Sequence, residues 1–136
     1  MIKFLRGTSC PFCLARVKEL IKRREELRLQ GIEVLVIIAA EVQKVVKSST
    51  KNHAPFPIIA DPEQKIFLKY GISKTNFILM KTMMRPMLMM KNMMTNFSDM
   101  SFLTETSTYP ADFLIDENQI IIKAHYGKHL GDHLDV

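Results

Sequence analysis

The sequence predicts an α/β protein in which helices cover both faces of a central mixed β-sheet. Three observations predict it: strand and helix patterns alternate over residues 1–71, a nearly unbroken β-branched run spans 32–39, and two strand patterns follow each other near the end. Alternation favours parallel strands joined by helices, and an apolar run of strand length indicates a strand buried on both faces. The two consecutive strands add an antiparallel hairpin, which makes the sheet mixed.

The spacing of apolar residues defines the elements in order. We predict a strand at 2–6, a helix at 11–30, a strand at 32–39, a helix at 41–52, a strand at 56–60, a brief helix from 62 to 71, and a hairpin of strands at 113–116 and 119–126. Gly31 and Gly71 are predicted to end helices, because glycine accepts the left-handed backbone that follows a helix. Asp61 and Asp116 are predicted to form turns.

Residues 72–108 interrupt this order and hold nine of the ten methionines. Many of these recur at a spacing of three or four, which predicts a Met-rich helical insert that is bent or split at Pro86. Methionine packs adaptably, so we expect an apolar face that lies on the core or on a second copy of the chain, as in a homodimer. A surface for another partner and a soft-metal site are alternatives.

Composition and length limit the class of protein. A chain of 136 residues is the size of one domain, and we expect residues 1–136 to form a single one. Its 47% hydrophobic and 24% charged residues exclude disordered and collagen-like chains, and no apolar run approaches the ~18 residues of a membrane span. Residues 1–30 have a charge balance of +5, most of it in the first predicted helix, where interspersed acidic residues favour a solvated face over a nucleic-acid site.

Cys10 and Cys13 form a C-x-x-C pair between the first strand and the first helix. The N-terminal apolar stretch is too short for a secretory signal, so we expect a cytoplasmic protein whose thiols stay reduced. Amides at a helix N-terminus favour a thiolate on Cys10, and Cys13, one turn further on, could attack a mixed disulfide or a sulfenic acid there. Pro11 suits the first helical position, and Arg6 adds positive charge nearby.

Two other interpretations of the cysteines remain open. They would form half of a zinc site if two histidines completed it, or they would be inert core residues. His125, His129 and His133 recur at a spacing of four, but intervening glycines interrupt any helix there, so we expect loop and capping roles and no metal. The chain contains no dinucleotide fingerprint, P-loop or H-E-x-x-H motif, and we expect no cofactor.

Three segments together resemble one family. FLRGTSCPFC at 4–13, ADPEQKIFLKYGI at 60–72 and YPADFLIDENQIIIKAHYGKHLGDH at 109–133 are similar to the peroxiredoxin-like branch of the thioredoxin-fold superfamily, the alkyl hydroperoxide reductase/thiol-specific antioxidant group. The resemblance implies a thioredoxin-like fold, with Cys10 as the attacking thiol and Cys13 as its partner. It also implies that Pro110 is a cis-proline facing the pair. Relatives usually carry further segments at both ends, so a shortened form is expected.

Two positions depart from the peroxidase motif of that family. The motif has a proline seven residues and a threonine or serine three residues before the reactive cysteine, whereas Lys3 and Gly7 stand there in this chain. Because the groups that would orient a peroxide are not matched, the departures favour dithiol–disulfide exchange.

We therefore expect a thiol-disulfide oxidoreductase that uses Cys10 and Cys13. The residues expected to support the pair are Arg6, Thr8, Pro11, Tyr109 and Pro110. The substrate would be a protein disulfide or a hydroperoxide, and a thioredoxin- or glutathione-like thiol would be the reductant. One alternative is a thiol-dependent peroxidase in which Cys10 reduces hydroperoxides. The other is a non-enzymatic binding or structural module that uses the Met-rich face.

Overall fold

A computed structural model describes residues 1–72 and 108–135, which form a five-stranded mixed sheet with helices on both faces. The strands are β1 (Ile2–Leu5), β2 (Leu35–Ile38), β3 (Ile58–Ala60), β4 (Ala111–Ile115) and β5 (Ile121–Tyr126), and their order across the sheet is β3-β2-β1-β4-β5. β1, β2 and β3 are parallel, whereas β4 pairs antiparallel with both β1 and β5. The predicted mixed sheet and terminal hairpin are confirmed.

The helices are α1 (Pro11–Lys22), α2 (Arg24–Leu29), α3 (Val42–Asn52) and α4 (Lys65–Lys69). The single helix predicted for 11–30 is wrong in one respect: it is divided at Arg23, whose ψ of 2° departs from the helical value. The end at Gly31 is confirmed, with φ of 74° and hydrogen bonds from its N–H to the carbonyl of Arg28 and from Ile32 to Leu27. This pair of bonds is a Schellman motif.

Two apolar clusters lie on opposite faces of the sheet. One contains buried residues of α1, α2 and α3, among them Val17, Leu27 and Val45, together with both cysteines. The other packs α4 against β1 and β4, where the rings of Phe4, Phe67 and Phe113 meet edge to face. Helices therefore cover both faces, as predicted, and the cysteines belong to the face that α1 covers.

The predicted turn residues are confirmed by their hydrogen bonds. The carboxylate of Asp61 accepts the backbone N–H groups of Lys65, Ile66 and Phe67 at 3.0, 2.8 and 3.1 Å, which fixes the start of α4. Asp116 Oδ1 accepts the N–H groups of Asn118 and Ile120 in the turn between β4 and β5. Gly71, with φ of 69°, follows α4 as predicted.

The Met-rich insert predicted for 72–108 lies almost entirely outside the described residues, and its helices and its role stay predictions. The two ends of that range are described: Ile72 and Thr108 are both buried, and Ile72 joins the cluster beneath α4. Within the two described ranges, no helix has the length and apolar character needed to cross a membrane.

Candidate functional site

The cysteine pair lies where β1 leads into α1. Cys10 is the N-cap of α1 in an extended conformation, Pro11 is its first residue, and the Leu14 N–H donates to the Cys10 carbonyl at 3.0 Å. Both thiols are free, and the Cys13 side chain hydrogen-bonds the sulfur of Cys10. The local sequence explains this arrangement, because proline has no N–H to leave unsatisfied in the first turn and its fixed φ suits a helix start.

The electrostatics of the pair are asymmetric. The hydrogen bond from Cys13 lowers the pKa of Cys10, and although burial opposes it, the backbone amides of Cys13 and Phe12 and the charge of Arg6 add to the lowering. The pKa of Cys13 is raised well above its ordinary value, because its proton is held by Cys10 and because it is buried. The arrangement therefore favours a thiolate on Cys10 and a protonated thiol on Cys13, which are the states of a nucleophile and its partner.

Both cysteines are enclosed. Cys10 is 0% exposed and Cys13 is 6% exposed, and they share an apolar cluster with Phe12, Val17 and Leu130. A reagent therefore reaches Cys10 only after a local opening of its surroundings.

The other predicted support residues lie at the end of β1, in the loop that follows it and just before β4. Arg6 is buried at the end of β1, where its charge acts on Cys10. Thr8 is half-buried in the loop between β1 and α1. Tyr109 packs against the cluster that contains both cysteines. Pro110 is buried just before β4.

The cis-proline implied by the family resemblance is wrong in this structure. The peptide bond between Tyr109 and Pro110 is trans, the ordinary state of an X-Pro bond. The proline is held by its neighbour instead: its carbonyl accepts the N–H of Gly127 at 2.8 Å, and a Cβ at Gly127 would lie 2.7 Å from the Pro110 ring. The chain after β5 therefore packs closely against Pro110.

Comparisons with known proteins place this arrangement in a family. The model of the AhpC/TSA family matches residues 1–124, which is most of the chain and includes both cysteines and β4. The chain belongs to the AhpC/TSA family. A comparison with curated proteins found no match.

Solved structures show the fold of this AhpC/TSA chain. A cysteine variant of peroxiredoxin Q from Xanthomonas campestris matches with a TM-score of 0.66 and 15% identity over 92% of this chain and 66% of that one. Peroxidoxin BcpB from Mycobacterium tuberculosis matches with a TM-score of 0.67 and 11% identity over 96% of this chain and 69% of that one. The AhpC/TSA chain therefore has the thioredoxin-like fold of peroxiredoxins and spans about two thirds of the length of the peroxiredoxin Q structure.

A third structure belongs to a protein described by its reaction. The bacterioferritin comigratory protein of Xanthomonas campestris, described with an alkyl peroxide reduction activity, matches with a TM-score of 0.65 and 14% identity over 92% of this chain and 66% of that one. At this identity the likeness concerns the fold alone.

A buried ionic cluster that joins β1, β4 and the segment after β5 was not predicted for this AhpC/TSA chain. Lys3 Nζ lies 3.0 Å from Asp112 Oδ2, and neither side chain is exposed. His133 Nδ1 lies 3.4 Å from the same oxygen, and Arg16 is buried close by on α1. One signal was available in the sequence: Lys3 and Asp112 each interrupt an apolar strand, as a buried charge with a partner would.

The histidines near the end have structural contacts. His125 Nε2 lies 3.0 Å from Asp132 Oδ1, and the N–H of Lys128 donates to the other oxygen of Asp132 at 2.8 Å. Across residues 1–72 and 108–135, no cluster of three or more His, Cys, Asp or Glu has the arrangement of a metal site. The loop role expected for His125 is wrong, because His125 lies within β5 and pairs with Asp112 in the strand register. His133 lies in the segment after β5, as expected, and its contact is with Asp112.

Proposed function

We propose that the chain is a thiol-dependent oxidoreductase whose principal reaction is the reduction of hydroperoxides by Cys10. The observation that carries the proposal is the cysteine pair at the start of α1, where a hydrogen bond from Cys13 and the helix amides favour a thiolate on Cys10. Family membership supports the same chemistry. Hydroperoxide reduction was the alternative expected from the sequence, and it replaces the thiol-disulfide exchange that was the main expectation.

Burial is the reason for preferring a hydroperoxide over a protein disulfide. With Cys10 at 0% exposure, a substrate must enter through a local opening. A hydroperoxide places only its O–O group on the sulfur, whereas a protein disulfide must bring its flanking chain to the same point. The free-energy cost of opening is therefore smaller for the hydroperoxide.

The proposed reaction has two steps at the pair. The Cys10 thiolate attacks the terminal oxygen of the hydroperoxide, an S–O bond forms as the O–O bond breaks, and the alkoxide leaves as an alcohol after taking a proton. The sulfur of Cys13 then attacks the Cys10 sulfenic acid, water is released, and a Cys10–Cys13 disulfide forms. Two electrons pass from the thiols to the peroxide, and an external thiol, of thioredoxin or glutathione type, returns them.

Dithiol–disulfide exchange at the same pair is the second candidate. The family position seven residues before Cys10 is occupied by Lys3, whose ammonium group is bound to Asp112 and the Leu134 carbonyl and so does not face a substrate. Gly7, three residues before Cys10, supplies no hydroxyl. Both departures remove groups that would orient a peroxide, and disulfide exchange does not need them.

Turnover by the full chain tests the proposal. Consumption of hydrogen peroxide and of tert-butyl hydroperoxide is followed with dithiothreitol as reductant, for the parent, Cys10→Ser and Cys13→Ser. Cys10→Ser should abolish consumption. Cys13→Ser, treated with one equivalent of hydroperoxide in the absence of dithiothreitol, should leave a sulfenic acid on Cys10 that dimedone traps.

Two results would count against it. Unchanged turnover in Cys10→Ser would remove Cys10 from the reaction. Faster reduction of insulin disulfides than of either hydroperoxide by the dithiol form would replace the peroxidase with the second candidate.

A further inference from the structure

Buried ionic side chains form hydrogen bonds with both the N–H and the carbonyl group of Leu134. Its N–H donates to Asp112 Oδ2 at 2.6 Å, and its carbonyl accepts Arg16 Nη2 at 3.0 Å and Lys3 Nζ at 3.5 Å. We call Asp112, Arg16 and Lys3 the Leu134 clamp. Its partners lie on β4, α1 and β1, so a single residue near the C-terminus is tied to three elements.

The clamp connects the C-terminal segment 127–135 to the helix that carries the thiols. Arg16 lies one turn after Cys13 on α1 and is 8% exposed. Leu130 of the segment belongs to the apolar cluster that contains both cysteines, and Leu134 is itself buried. A segment held through Leu134 is therefore held against the face of the molecule in which Cys10 is enclosed.

Other polar contacts hold both the beginning and the end of the segment. Gly127 donates to the Pro110 carbonyl, and Asp132 binds His125 and the N–H of Lys128. These bonds lie within the segment or join it to β4 and β5. Near the end of the segment, His133 Nδ1 lies 3.4 Å from Asp112 Oδ2, and Asp135, which is 94% exposed, pairs with Arg23 at the end of α1. The hydrogen bond from Arg16 to Leu134 is a buried contact between the segment and α1.

We propose that Arg16 is a positioning residue for the cysteine pair. By binding Leu134, Arg16 controls how often the C-terminal segment separates from α1 and exposes Cys10. The catalytic consequence of this opening rests on the proposed function, because it applies to a substrate that reaches Cys10 through the opening. Separation of the segment breaks the bonds that Leu134 makes with Arg16, Asp112 and Lys3 and uncovers Leu130, while the sheet stays paired. Loss of the Arg16 bond alone should therefore make this opening more frequent.

Alkylation of the thiols tests the inference without requiring turnover. The full-length dithiol protein is treated with iodoacetamide, and modification of Cys10 is quantified by peptide mass spectrometry for the parent, Arg16→Met and Glu19→Gln. Methionine keeps much of the apolar stem of Arg16 but cannot donate to Leu134. Glu19→Gln is the matched control, because it removes the 2.8 Å ion pair of Arg16 and leaves the bond to Leu134.

In Arg16→Met, iodoacetamide should modify Cys10 about tenfold faster than in the parent, or more. The midpoint of the pH profile of this rate should equal that of the parent, and low concentrations of urea should not change the rate. Glu19→Gln should behave as the parent. An unchanged rate in Arg16→Met would overturn the inference. So would an increase that follows urea as steeply as global unfolding does, because the opening would then not be local.

Hydrogen exchange on the parent keeps the inference testable if Arg16→Met does not fold. The Leu134 amide should exchange through the same opening equilibrium that limits Cys10 alkylation. A Leu134 amide as protected as the β1 amides, beside faster alkylation of Cys10, would contradict the inference. Loss of peroxidase activity alone would contradict the proposed function and leave this result intact.

Discussion

Lys3 and Asp112 meet across the antiparallel pair of β1 and β4, with 3.0 Å between Nζ and Oδ2 and neither side chain exposed. Burial alone would raise the pKa of Asp112, but hydrogen bonding with His133 and the charge of Lys3 lower it, so the carboxylate is ionised. Two charges taken out of water cost several kcal/mol each unless they are paired and hydrogen-bonded. The stability of the sheet centre therefore depends on the presence of both partners.

Removing one partner should destabilise the protein more than removing both. We expect Asp112→Leu alone to lower the free energy of unfolding by ~3–5 kcal/mol, because it leaves the Lys3 charge buried without its counter-ion. The double variant Lys3→Met/Asp112→Leu should recover part of this loss, with ~1–3 kcal/mol still missing because the Leu134 N–H loses its acceptor. Urea unfolding of the three proteins measures the difference. A double variant less stable than Asp112→Leu would contradict the expectation.

Stability should also depend on pH through Lys3. Burial lowers the pKa of Lys3 from 10.5 to about 8, and the charge of Asp112 offsets only part of that effect. Between these values the unfolded chain holds a proton that the folded chain has released. The contribution of Lys3 to the free energy of unfolding therefore rises as pH increases from about 8 to 10.5, by at most ~1.4 kcal/mol per pH unit.

Lys3→Met provides the comparison for this pH dependence. Both cysteines have shifted pKa values as well, so the absolute slope contains their contributions. The difference in slope between parent and variant isolates Lys3. Urea unfolding at pH 8 and at intervals up to pH 10.5 should give the parent the more positive slope, and equal slopes would exclude the lowered pKa.

The sequence predicted the features that depend on local chemistry. Proline geometry predicted the start of α1 at Pro11, and the spacing of the two cysteines placed their thiols one turn apart. Glycine geometry predicted the left-handed residue Gly31 that follows α2. The β-branched run predicted β2 as a buried strand, although β2 is shorter, at Leu35–Ile38, because only that part pairs with β1 and β3.

The contacts that were missed join residues far apart in the chain. Arg16 and Leu134 are separated by 118 positions, and no local pattern indicates which backbone group a buried arginine will bind. The peptide bond before Pro110 is trans, whereas the cis expectation came from a family likeness and not from any local pattern in this chain.

Gly127→Ala should destabilise the protein by steric conflict. A Cβ there would lie 2.5 Å from the Asp132 carbonyl oxygen and 2.7 Å from the Pro110 ring, and the first of these atoms is backbone. Because neither neighbour moves freely, we expect a loss of ~1–3 kcal/mol, measured by thermal or urea unfolding. Gly31→Asn is the control, since a Cβ at Gly31 meets nothing within 4 Å and asparagine tolerates its left-handed φ. Equal stabilities for the two variants would contradict the close contact.

Arg6→Met should raise the pKa of the Cys10 thiol, because the charge of Arg6 is one of the causes that lower it. With less thiolate present, reaction of Cys10 with iodoacetamide at neutral pH should slow, and the midpoint of its pH profile should move upward. Arg28→Met is the matched control, since Arg28 is 60% exposed and pairs with Glu25 on the surface of α2. The two arginine variants lose the same formal charge, so the net charge of the protein cannot explain a difference between them. An upward shift of the same size in the pH midpoint of both variants would assign the effect to net charge and would contradict a role for Arg6. A shift in Arg6→Met alone would assign the effect to the buried guanidinium at the end of β1.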